Sequence, residues 1–104
     1  MIKLVFEKVI VDNKRMYILK EFDCLTANQL PEEYFNNRPY VYKTSDKELV
    51  VKGKDFVFVG LVNCPFSIDM KNEIVHLCKI SGIKLKKINQ KIRDEWTGIE
   101  TIEM

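Results

Sequence analysis

Apolar residues crowd positions 2 to 11 and return at Met16 to Phe22, after the polar run Asp12, Asn13, Lys14 and Arg15. That pattern predicts a β-hairpin. Val9, Ile10 and Val11 follow one another without a polar break, so the first strand should be covered on both faces near its end or carry a bulge. Between Thr26 and Asn37, Pro31 precedes Glu32, Glu33, Tyr34 and Phe35, which predicts a short helix with proline at its first position, acids in its first turn, and Asn36 and Asn37 at its end. Tyr40 to Lys43 and Glu48 to Gly53, separated by polar residues 44 to 47, predict a second hairpin. Phe56 to Val62 is continuously apolar, as a central strand buried on both faces would be. Phe66, Met70, Ile74, Leu77 and Cys78 then recur at helical spacing, predicting a helix over 65–81 with Pro65 at its first position, Lys79 in its last turn and Gly82 as its cap. Ile83 to Ile88 would be the next strand. Residues 56–88 would thus form a β-α-β unit with a right-handed crossover. The last segment fits a short edge strand after Gly98.

The expected fold is α/β or α+β, with a mixed sheet of five to six strands built around this unit, in a single domain over 1–104. Composition agrees: 46% hydrophobic and 31% charged residues with four glycines and three prolines describe a folded domain, not a disordered chain. Seventeen Lys and Arg against fifteen Asp and Glu leave a net charge of +2, too near balance to name a nucleic acid or a membrane as partner. Three cysteines at unrelated spacings make no disulfide framework. The start MIKLVFEKVIV has charges inside its apolar run, unlike a signal peptide, and the longest apolar run has seven residues where roughly 18 are needed to span a bilayer. A reducing cytoplasm is the expected compartment.

Cys64 is the residue to weigh for chemistry. A thiol capping a helix would face unpaired N–H groups and the positive end of the helix dipole, both of which favour thiolate. The stretch KDFVFVGLVNCPFSIDMKNEIVHLCKISGIKLKKI, residues 54–88, resembles the first half of a thioredoxin or glutaredoxin fold. Cys64-Pro65-Phe66-Ser67 is similar to glutaredoxin sites in which serine replaces the second cysteine, and to the CPF-bearing thioredoxin-like domain that follows some prokaryotic GNAT acetyltransferases. The resemblance implies a nucleophilic Cys64, a turn shaped by Pro65, a covering Phe66, and Ser67 in place of a resolving cysteine. Only sixteen residues follow Ile88, too few for the rest of that fold. A circular permutation would supply its hairpin from Arg38-Pro39-Tyr40-Val41-Tyr42 and Leu49 to Gly53.

The remaining candidates read more plainly. Cys78 lies on the apolar helix stripe and is expected in the core. His76, the one histidine, is expected on the exposed helix face. Cys24 is the one intramolecular partner open to Cys64. No Cys-x-x-Cys or His-x-x-x-His pair is present, so no metal site is expected, and no cofactor motif is found. Lys79 to Arg93 holds six cations and no acid, which suits a solvated strand edge better than a nucleic-acid surface, because the aromatic residues lie elsewhere. Tyr40 and Tyr42 share one strand face. Two functions follow as expectations. One is monothiol exchange by Cys64 with protein or low-molecular-weight thiols. The other is a non-catalytic interaction module, such as a homodimer pairing through exposed strands, with all three cysteines structural.

Overall fold

The computed structural model describes residues 2–32, 39–53, 55–80, 85–93 and 95–104. Among the described residues it is mostly β, with two antiparallel sheets and one α-helix. Strands β1 (Lys3–Val11) and β2 (Lys14–Asp23) form the first hairpin, closed by Asp12 and Asn13, both at positive φ (49° and 63°). These residue types tolerate the left-handed region, as a two-residue hairpin turn demands. The bulge lies away from the apolar triplet at 9–11: Val5 pairs with Glu21 and Phe6 with Leu19, leaving Lys20 of β2 as the extra residue. Ile10 is 55% exposed, so the end of β1 is not covered on both faces.

Strands β3 (Tyr40–Ser45) and β4 (Glu48–Lys52) form the second hairpin, and β5 (Val57–Leu61) joins β4 antiparallel in a three-stranded sheet ordered β3-β4-β5. Strand β6 (Pro65–Phe66) is a two-residue edge beside β2. Helix α1 (Ile68–Ile80) follows, then β7 (Lys87–Ile92) and β8 (Gly98–Glu103) complete a five-stranded sheet ordered β6-β2-β1-β8-β7. The helix expected around Pro31 falls largely on 33–38, outside the described residues, as does Gly82. Ahead of that segment, Ala27–Gln29 makes one turn of 3-10 helix, with the Gln29 side chain accepting from the Thr26 N–H at 2.9 Å.

The expected β-α-β unit is not formed. β5 and β7 lie in different sheets, and every pairing between the numbered strands is antiparallel. The chain leaves β5 through Asn63 at φ 66°, pairs briefly with β2, and only then enters the helix. The thioredoxin-like arrangement, permuted or not, is therefore overturned as a fold. The run 56–62 misled because apolar residues on both faces of a strand need not be covered on both faces. Phe58 and Gly60 turn inward, while Val57, Val59 and Leu61 are 55%, 51% and 47% exposed at the sheet edge. Of the expected strand 83–88, residues 83 and 84 lie outside the described residues, 85 and 86 are in no strand, and 87 and 88 open β7. β8, read as an edge, lies between β1 and β7.

The core lies between the sheets and α1. Phe6, Leu4, Leu19, Leu49, Val51 and Ile102 meet Ile74, Leu77 and Cys78 of the helix. Burying each large aliphatic side chain contributes on the order of 1.5–3 kcal/mol. The approach is close at Gly53, where an added Cβ would come within 3.2 Å of Leu77 Cδ2. Among the described residues no helix is long and apolar enough to cross a membrane.

Candidate functional site

The structure separates the members of the Cys64-Pro65-Phe66-Ser67 motif. Cys64 is exposed and ends a tight turn, its N–H donating to the Leu61 carbonyl at 3.4 Å while the Asn63 N–H donates to the Leu19 carbonyl at 3.0 Å. Pro65 sits opposite Ile18 on the sheet edge, where a residue without an N–H costs no ladder bond. Phe66 pairs with Tyr17 and turns into the core, its ring 5.9 Å from Phe6 and 6.0 Å from Phe58. Cys64 itself is exposed.

Ser67 is the helix cap. Its Oγ accepts from the Met70 N–H at 3.1 Å, and its carbonyl takes the first helical bond from the Lys71 N–H at 3.1 Å. Serine satisfies orphan N–H groups better than a thiol does, and extended Pro65 keeps the helix from starting sooner. The helix thus begins at Ile68 and not at Pro65, which places Cys64 three residues outside the cap, away from the dipole that would have activated it.

The other two thiols lie in the core together. Burial pushes the Cys24 thiol up to about 11, with Lys43 partly opposing, and pushes Cys78 up to about 12, with Cys24 as a further contributor. Cys24 is thus buried in the same core cluster as Cys78, whereas Cys64 is exposed. Both buried thiols are protonated and inert at neutral pH. His76 lies on the exposed side of α1.

One cluster of buried charge escaped the sequence reading. Glu100, 3% exposed, lies on the inner face of β8 with Gly98 and Ile102. Lys71 Nζ of α1 meets its Oε1 at 2.6 Å. Lys8 Nζ lies 3.8 Å from Oε2, which also accepts from Tyr17 at 3.4 Å and Gln90 at 3.3 Å. Lys71 stands 5.1 Å over the Tyr17 ring and Lys8 stands 5.2 Å over that of Trp96, whose indole N–H donates to the Val9 carbonyl. Burial, the Glu100 charge and the bond to it together push the Tyr17 hydroxyl up to about 12. At 3% exposure and with these partners around it, Glu100 is turned inward and away from solvent. It latches α1 to the five-stranded sheet. The period of two through Gly98, Glu100 and Ile102 was the sequence signal for its burial.

The remaining distinctive surface is the β5 edge of the three-stranded sheet; further across the same side, Val50 and Tyr40 are buried at 5% and 7% exposure. Val57, Val59 and Leu61 stand in register with Lys52, Val50 and Glu48 of β4, and Val50 in turn with Tyr42 of β3. Tyr40 and Tyr42 stack at 5.6 Å on this face. The Val62 N–H donates to Lys47 and the Phe56 carbonyl accepts from Gly53, so even-numbered residues bond toward β4. By the alternation of an antiparallel ladder, the backbone groups of Val57, Val59 and Leu61 point away from the sheet. Comparison with protein-family models, curated proteins and solved structures finds no match to this chain.

Proposed function

We propose that this protein is a non-catalytic interaction module that receives an extended segment of a partner along β5. One observation carries the reading: β5 offers outward backbone groups and three half-exposed aliphatic side chains on a strand without a single charge. Such an edge is a template for strand addition. Partner backbone would supply the hydrogen bonds, and alternate side chains would rest on Val57, Val59 and Leu61. The test is to pan a displayed library of random heptapeptides against the chain, immobilised sparsely so that copies do not meet, and against Val59→Lys. Apolar, extended sequences that bind the first and not the second are expected. A library in which nothing distinguishes the two removes the reading.

Monothiol exchange at Cys64 is the second reading, supported by the exposure of that thiol. Its test is the pH dependence of iodoacetamide alkylation, resolved by peptide mapping. Rapid alkylation persisting well below about pH 8.5 supports it, and a rate that tracks an ordinary thiol ends it.

A further inference from the structure

Resting on the interaction reading, we infer that the segment received by β5 is β5 of a second copy of this chain, paired antiparallel about a two-fold axis at Val59. The other sheet edges are each closed to such pairing. β7 has Lys87 and Lys91 along it, β6 has two residues of which one is Pro65, the rest of β2 beyond β6 carries Lys14, Arg15, Lys20 and Glu21, and β3 is engaged by the Lys43 N–H bond to the Leu25 carbonyl at 3.0 Å and a bridge to Thr26. β5 has no lysine, no proline and no bulge.

The register argues for a copy of itself as occupant. A two-fold axis at Val59 sets Val59 against Val59 of the second copy and Val57 against the second copy's Leu61, so aliphatic side chains meet aliphatic ones along the whole strand. On β4, Lys52 lies opposite Val57 and Glu48 opposite Leu61. Antiparallel pairing therefore runs each row from Lys52 of one copy, through Val57 and the second copy's Leu61, to the second copy's Glu48. Every such row ends in opposite charges. Parallel in-register pairing would end its rows in like charges, Lys52 with Lys52 and Glu48 with Glu48. The central row, Tyr42, Val50 and Val59 followed by their symmetry mates, would be one apolar stripe across six strands.

Sedimentation velocity on the full chain across the micromolar range tests this, with Val59→Lys as the disrupting variant. A dimer is expected, weakened at least about tenfold by lysines brought face to face. Register is read by disulfide trapping in a Cys64→Ser background. Val59→Cys should cross-link to itself under mild oxidation, because paired residues lie within disulfide reach. Val57→Cys alone should not, since the two copies of that residue would be offset by four residues, roughly 13 Å, along the strands. A dimer indifferent to Val59→Lys, or one trapped through residue 57 alone, overturns the inference. A monomer that still captures peptides at β5 overturns the self-pairing and leaves the interaction reading standing. A monomer that captures none overturns both.

Discussion

β5 and β7 occupy equivalent places, each the last strand of an antiparallel sheet with one neighbour, yet they meet water differently. All six residues of β7 are exposed, Ile88 at 48% and Ile92 at 66% among them, but Lys87, Asn89, Gln90 and Lys91 break that apolar character along the strand. β5 exposes Val57, Val59 and Leu61 with no polar side chain among them. The sheets differ inside as well. The three-stranded sheet turns Val41, Leu49 and Val51 inward, whereas the five-stranded sheet holds Glu100 there, tied to α1 by Lys71. The five-stranded sheet thus has lysines along its edge and one buried carboxylate among Leu4, Phe6, Leu19 and Ile102, whereas the three-stranded sheet has an uncharged edge and an apolar inner side. A backbone edge is a binding surface only when its side chains leave it open.

Glu100→Gln strikes the polar interior hardest. It leaves Lys8 and Lys71, with side chains 13% and 11% exposed, without a counter-charge, and should cost about 3–5 kcal/mol in urea denaturation. A loss under about 1 kcal/mol would show that solvent reaches the cluster and that the two interiors are alike.

Gly98→Ala comes next. Gly98 has φ 147°, and a Cβ there would collide with the Lys91 carbonyl where β8 pairs with β7, so a loss of about 2–3 kcal/mol is expected. Amide exchange should quicken in β7 and β8 while β3 to β5 keep their protection. Equal loosening of both sheets would deny that they respond separately.

Ser67→Ala removes the cap and should cost about 1 kcal/mol, read as a lower melting temperature. An unchanged melting temperature would return the helix start to Pro65 and Cys64 to its end.

Lys91→Val should shift stability by no more than about 0.5 kcal/mol. Its effect should be on solubility, because it gives β7 the character of β5. If the variant stays as soluble as the parent, lysine is not what guards that edge.

Both hairpins were legible in the sequence because their causes are local. Asp12 and Asn13 accept left-handed backbone, and apolar strands flank them. The helical stripe through Ile74, Leu77 and Cys78 was legible for the same reason, since each residue's face follows from its neighbours three and four positions away. The start of the helix was misread because Pro65 suits the first turn of a helix as well as it suits a sheet edge, and its pairing with Ile18 decides between them. Phe56 to Val62 announced a strand but not its place. A buried centre and an apolar edge share one composition, and the difference lies in which strand fails to come alongside. Glu100 was hidden likewise, because a carboxylate is buried only where Lys71, Lys8 and Tyr17 converge, from positions 29, 92 and 83 residues away in sequence. The sequence by itself determined the two hairpins, the strand at 57–61, the strand after Gly98 and the body of the helix, because those depend on dihedral preferences and spacing over a few residues. Only the tertiary structure decided which strands pair, which edge stays open and which charge goes inside, because each depends on groups that meet only once the chain has closed on itself.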